Sequence, residues 1–529
     1  MAIDRKRIAS SQSIPREDVG HSQSATTRSA LKDPVFIACL AIGIVILSSW
    51  LYLSYMNYIE YVYLPADIGL STYSFYFNTH FESLVYGLQL LVIVYNHIEP
   101  LELIFEPIFY VFPSPLTLIF LQDFSFFLAA IVVYFISLRI NQSRFVAAAL
   151  FFAFMINPGI RAAVLYPYHG EAYLPLLALL AFYFYTVRRP YLFALSYILL
   201  LTTVETAAVV GAIFLVFLLL LERKRRDKKF TVQIALLMLA TALYYLFCSY
   251  VTAYLTAAYA SGAYSNLPPF LRLINFYGFQ LKGIASLPYR ITQISAYNLA
   301  KGLAGIAFLL FGFGTYVYRK LTYALLIFSP WLYEVFILNN PFFASFTGPY
   351  YLYVIYGSVL LAILAIGKVE KSKEQRHVRH IITLSIAFSI STFLFVSSAT
   401  LLPFIFSSSH ISNPPVNLQR CFSNITNYSV MLEPELEPHL YEFRRMEIIP
   451  AYTIGGFNGT VTSRLVQGLY YFKPQFIITG NSSFEDMLFG PAGFNVSAYT
   501  GKNYSIYARF DNMTVYKLDS LNFSKPLGC

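Results

Sequence analysis

The chain has 529 residues, of which 57% are hydrophobic, 18% aromatic and only 12% charged, with a mean hydropathy of +0.57. A soluble globule of that composition could not cover its apolar surface, so a water-soluble fold is excluded and a multi-spanning membrane protein is predicted. Lys and Arg exceed Asp and Glu by 37 to 27, but the cations sit in short loops between apolar runs. Orientation signals sit in such loops, which argues against nucleic acid as a partner.

A membrane core about 30 Å thick needs close to 20 apolar residues per helix. Runs of this kind are predicted at 34–55, 116–138, 144–157, 172–187, 190–203, 206–221, 231–258, 299–318, 321–338, 348–366 and 381–401. The fold class is therefore an α-helical polytopic membrane protein of about eleven transmembrane helices. The third and fifth runs are short, as expected of tilted or re-entrant segments. The brief run "FESLVYGLQLLVIVY" (81–95) reads as an interfacial helix.

The polar segment 1–33, "MAIDRKRIASSQSIPRED" onward, is too long and too hydrophilic to open a signal peptide, so it is expected to stay in the cytoplasm, with the first span as an uncleaved anchor. Alternation from there puts "RINQSR", "VRRP", "ERKRRDKK", "YRK" and "GKVEKSKEQRHVRH" on the cytoplasmic side, as positive loops require. The transmembrane domain covers 34–401 with an outer-face loop at 56–115, and the tail 402–529 falls outside.

That tail loses the long apolar runs. Strand-like alternation and the turns "IGGFNGT" and "GPAGFN" predict a small extracytoplasmic α/β or β-rich domain. Eight Asn-X-Ser/Thr acceptors lie in it, at Asn424, Asn427, Asn458, Asn481, Asn495, Asn503, Asn512 and Asn522, against one elsewhere, Asn141, in a loop assigned to the inside. Such density is expected of a glycosylated outer surface, although single acceptors also arise by chance. Cys39 and Cys248 lie in spans, while Cys421 and Cys529 bracket the tail and are predicted to form a disulfide.

Chemistry is concentrated on the outward side. The first outer segment supplies Glu60, Asp67, His80, Glu82, His97, Glu99, Glu102 and Glu106, "YPYHGEAY" supplies His169 and Glu171, and "LTTVETAAV" supplies Glu205. Carboxylates and imidazoles gathered at one face can hold a divalent cation or do acid/base work. His97, His169 and Glu205 are the candidate metal ligands. No HExxH, CxxC pair, Walker loop or GxGxxG is present, so a divalent cation is the one cofactor the residues suggest, without a diagnostic spacing. Against the functional reading stands the plainer one, in which an outer-loop His or Glu is merely solvated. Glu102 and Glu106, four residues apart, read as the polar face of a helix. Asp123 in "LQDFSFF" reads as a packed network residue or as part of the site.

The succession "ADIGLS", "NHIEPLELIFEPIFYVFPSPLTLIFLQ", "INPG", "YPYHGEAYLPLLALLAFY" and "TTVETA" resembles the predicted membrane proteins known as domain of unknown function 2079, over roughly residues 60–230 and more weakly beyond. Where that family has Asp-Phe-His, this chain has Tyr168-His169-Gly170; where it has Lys-Glu-Asp, this chain has Val204-Glu205-Thr206. The resemblance implies a GT-C-like architecture, that of enzymes which transfer a sugar from a polyprenyl or dolichyl phosphate at the outer face. It also implies a carboxylate base in the first outer loop, where Asp67 lies; His97, Glu99, His169, Glu171 and Glu205, ionisable groups on outward turns where a lipid phosphate would lie, are the residues expected to bind substrate or phosphate. The partners expected are membrane lipid and a lipid-linked sugar donor. The competing classes are a transporter, which should carry midplane charges and inverted repeats, and a non-catalytic cell-surface protein, for which eleven spans exceed what anchoring needs.

Overall fold

A computed structural model describes residues 32–59, 98–225, 227–259, 320–332, 352–396, 421–432, 445–448, 474–479, 504–510 and 513–524, with a few single positions between them. Asp67, His97, the run 81–95, the run 299–318 apart from Tyr316, Cys529, and Asn458, Asn481, Asn495, Asn503 and Asn512 lie outside the described residues.

The helices follow the apolar runs. They are α1 (Pro34–Ile59), α2 (Glu106–Val111), α3 (Pro115–Asn141), α4 (Arg144–Met155), α5 (Pro158–Val164), α6 (Leu174–Thr186), α7 (Pro190–Leu201), α8 (Ala207–Arg225), α9 (Lys228–Tyr259), α10 (Leu321–Leu332), α11 (Leu352–Ile366) and α12 (Lys371–Val396). Among the described residues three helical stretches, 34–58, 115–141 and 228–248, are each long and apolar enough to cross a membrane. α4 and α5, bent by 46° at the break between them, pass the same test only as a pair, either as one broken span or as a re-entrant loop.

Local chemistry explains that bend. Pro158 cannot donate an amide to the preceding turn and pushes Asn157 into an extended conformation (φ −63, ψ 127), so α4 must stop before it. Asn157 then caps the new helix, its side-chain oxygen accepting from Gly159 N at 2.8 Å with Pro158 in the first turn. The short third run thus ends at a break in the helix, at Asn157-Pro158. α3 is set in the same way by a Ser114 cap and Pro115, and ends at Gln142 in the left-handed region.

Side chains from all these helices meet in one core, in which Phe126, Tyr134, Phe154, Tyr168, Phe214 and Tyr356 are fully buried. α3 lies centrally, packed against α1, α4, α6 and α11. Its two ends define two poles of the bundle. At the C-terminal pole Asn141 Nδ2 donates to the carbonyls of Ile363 (2.9 Å) and Gly367 (2.7 Å), and Asn141 O accepts from Val369 N. Ser143 Oγ meets Glu374, and Arg188 pairs with Glu222. Asn141 is therefore no loop residue: it is the buried last residue of α3, and its side chain holds a neighbouring loop. The described basic loops gather at this pole, and the loops 98–114, 157–173 and 202–206 occupy the other.

The tail contains a mixed sheet of β1 (Ser429–Leu432), β2 (Arg445–Ile448), β3 (Phe476–Thr479), β4 (Tyr504–Phe510) and β5 (Met513–Leu518) in the order β2-β1-β3-β5-β4. β1 runs parallel to β2 and β3, while β5 is antiparallel to β3 and β4. One face buries Phe422, Ile425, Val430, Phe476, Ile478 and Val515. Tyr76, from the first long loop, packs against both this core and the helical one. Cys421 is disulfide-bonded and Cys39 and Cys248 are free thiols. Asn424, Asn427 and Asn522 are exposed.

Candidate active site

The site pole is assembled by backbone hydrogen bonds between loops distant in sequence. The Ile98 amide donates to Glu205 Oε2 at 2.8 Å and the Leu101 amide to the Thr202 carbonyl at 2.9 Å, which fastens residues 98–101 to the turn between α7 and α8. Beyond this anchor Pro100–Ile104 forms a tight 3-10 turn rather than an α-helix. Three residues per turn changes which side chains point inward. Glu99 and Glu102 are consequently both buried, at 5% and 4% exposure.

The facing wall is "YPYHGEAY". Gln122, about two turns into α3 from its buried start, donates from Nε2 to the Ala163 and Tyr166 carbonyls and accepts from the His169 amide at 3.0 Å, fixing the backbone of this loop. His169 Nδ1 lies 3.4 Å from Glu171 Oε2, and the His169 ring stacks on Tyr166 with centroids 5.0 Å apart. Gly170 separates the two and admits no substituent: a Cβ there would sit 2.8 Å from both Glu99 Cδ and the Thr203 carbonyl oxygen. The absence of a side chain is what allows Glu99 to reach the loop.

Glu99, Glu102 and Glu171 therefore converge with the phenols of Tyr168 and Tyr173. Phe105 stacks on Tyr173 at 4.6 Å and Phe75 meets Tyr168 edge-on, closing the group off from solvent. Burial raises the Glu102 carboxyl to about 7, helped by the charges of Glu106 and Glu171. Glu99 and Tyr168 stand close enough to ease the shift, although Glu102 Oε1 makes no hydrogen bond of standard geometry. Burial also pushes the Tyr168 and Tyr173 hydroxyls above their usual range, so both remain protonated donors. A carboxyl that titrates near neutrality can give and take a proton at physiological pH.

The structure thus brings together four of the residues predicted for substrate or phosphate: Glu99, His169, Glu171 and Glu205. Asp67 and His97 lie outside the described residues, although Ile68, next to the first, and Ile98, next to the second, are both buried. Glu102 corrects the sequence reading, since it is a buried member of the cluster and not the solvated face of a helix. Tyr168, Tyr173 and Gln122 were not singled out in the sequence; a 3-10 turn begun by Pro100 was the available clue for Glu102. Deeper in the bundle, Asp123 Oδ2 accepts from Ser54 Oγ at 3.2 Å. Among the described residues no group of three or more His, Cys, Asp or Glu is placed to hold a metal ion.

A family model described as predicted membrane protein, domain of unknown function 2079, matches residues 71–455. The chain belongs to that family. The matched range holds every described member of the acidic cluster and begins four residues after Asp67. With the long apolar helices, family membership makes this a membrane protein. Among solved structures, the crystal structure of ArnT from Cupriavidus metallidurans bound to undecaprenyl phosphate is similar to the chain, at 12% sequence identity and a TM-score of 0.47, with 93% of this chain and 99% of that chain covered. A search of curated proteins finds no match to the chain.

Proposed function

We propose that this protein is an integral-membrane glycosyltransferase of GT-C-like kind, which transfers a sugar from a polyprenyl- or dolichyl-phosphate donor at the outward membrane face. The carrying observation is the convergence of Glu99, Glu102, Glu171 and His169 at the pole opposite the basic loops. On this reading that pole is extracytoplasmic and the N-terminus cytoplasmic, as one-sided positive loops favour. Asp67 takes the proton of the acceptor hydroxyl while its oxygen bonds to the anomeric carbon. The bond from that carbon to the lipid phosphate breaks, and the phosphate leaves with the electron pair. Glu102, titrating near 7, exchanges protons with the departing phosphate. His97 and His169 steady that phosphate, and Glu205 serves by fixing the segment that carries His97 and Glu99.

The test is transfer of radiolabelled sugar from lipid-linked donors in proteoliposomes. Asp67→Asn keeps size but removes the basic oxygen, and is expected to lose activity on the order of a hundredfold or more. Equal activity in the variant overturns the assignment of Asp67. An external label that reaches the 222–229 loop and not the tail near Ser463 overturns the orientation. The second reading is a transporter, supported by the buried Asp123 carboxylate inside α3. It gains if the wild type transfers no sugar from any donor but carries a solute across the vesicle membrane.

A further inference from the structure

We propose that the first turns of α12 form a binding face for the headgroups of anionic phospholipids in the leaflet at the basic pole. Two contacts fix the rotation of this helix. Glu374 bonds to Ser143 Oγ, and His377 Nδ1 lies 2.7 Å from Tyr316 OH. Ile381, Ser385 and Phe388, buried on the same side, continue the packed stripe. With that side turned inward, Lys371, Lys373, Arg376 and Arg379 are all exposed.

The outward face changes character along its length. At 100° per residue, Lys371, Arg376, Arg379, Ile382, Ile386 and Ile390 fall within an arc of about 140°. The three isoleucines are among the exposed large hydrophobic residues of the protein. One stripe thus carries cations for nine residues and apolar side chains from Ile382 on, as expected of a helix that passes from the headgroup layer into hydrocarbon. The cations stand at the level where lipid phosphates lie. Positive loops alone require only net charge on this side of the membrane; here the side chains also share one pinned face joined to a lipid-facing stripe. Lys373 falls outside this arc and pairs with the exposed Glu370 at 2.7 Å, which leaves Lys371, Arg376 and Arg379 on the stripe to receive anions. The apolar continuation selects a lipid over a soluble polyanion as the occupant.

Full-length protein in an uncharged detergent is titrated with phosphatidylglycerol and, separately, phosphatidylcholine, and bound lipid is counted by native mass spectrometry. Wild type is expected to prefer phosphatidylglycerol. Lys371→Gln, Arg376→Gln and Arg379→Gln are each expected to weaken it about fivefold. The triple variant should lose the preference while its thermal unfolding midpoint stays unchanged, because all three side chains are exposed. Lys228→Gln with Lys229→Gln, exposed cations outside this stripe, should retain wild-type binding. The proposal is overturned if the triple variant binds phosphatidylglycerol like wild type, or if phosphatidylcholine binds equally well. It is also overturned if excess inorganic phosphate displaces the lipid completely, which would make this a free-phosphate site.

Discussion

Ile98 and Glu205, 107 residues apart in the chain, are joined by a 2.8 Å hydrogen bond from the backbone amide of the first to Oε2 of the second. Both are buried, so the amide has no water to turn to if the carboxylate is removed. Glu205→Ala is expected to destabilise the protein by about 1–3 kcal/mol, the cost of an orphaned buried donor, whereas Glu205→Gln keeps an acceptor and should cost less. Thermal unfolding in detergent, with hydrogen exchange at Ile98, measures this. Equal midpoints for wild type and the alanine variant would show that the bond does not hold the loop.

Glu102 makes stability depend on pH. Its folded-state value of about 7 lies above the ordinary 4.5, so the folded protein binds the proton more tightly than the unfolded chain does. The contribution is full below about 4.5 and is lost as pH rises through about 7. Unfolding midpoints measured from acid to slightly alkaline pH should therefore fall for wild type across that window. Glu102→Gln, neutral throughout, should flatten the profile, and an unchanged slope would place the titration on another group.

Arg188 occupies the left-handed region at φ 57, a conformation that costs a non-glycine residue about 1–2 kcal/mol. There its guanidinium bonds both oxygens of the fully buried Glu222, at 3.0 and 3.1 Å, and lies over the Phe230 ring at 4.5 Å. Tyr185 OH donates to the same carboxylate at 2.6 Å. Arg188→Ala strands a buried charge and should cost about 3–5 kcal/mol. Arg188→Gly relieves the backbone but loses the pair, and is expected to fall between alanine and wild type.

In the tail, Cys421 is bonded and the two cysteines of the spans are free, which makes Cys529 the expected partner. Non-reducing mass spectrometry should find the peptides of Cys421 and Cys529 joined. Free thiols at both positions in freshly prepared protein would exclude the pairing.

The helical bundle was legible in the sequence because long apolar runs have few alternatives in a membrane, and α1, α3 and α9 begin within three residues of their predicted starts. The short third run gave notice of its break through Asn157-Pro158. His169, Glu171 and Glu205 stood out because charge between apolar runs is conspicuous. Glu102 did not, since a spacing of four to Glu106 suggests a helical face only if the backbone is α-helical, and the 3-10 turn after Pro100 removes that premise. Gln122 was hidden for the opposite reason: an amide inside a span carries no charge to draw the eye, and its role lies in backbone atoms more than forty residues away. Pairings at such range leave no mark in local pattern.

Asn141 begins an Asn-Gln-Ser acceptor, yet its amide nitrogen is the atom that bonds the Ile363 and Gly367 carbonyls, and Ser143 is itself engaged by Glu374. An oligosaccharide attached to that nitrogen and the closed bundle exclude each other. A copy of the chain glycosylated at Asn141 could no longer lock α3 to α11 through that side chain. The exposed Asn424, Asn427 and Asn522 can carry sugars without such cost.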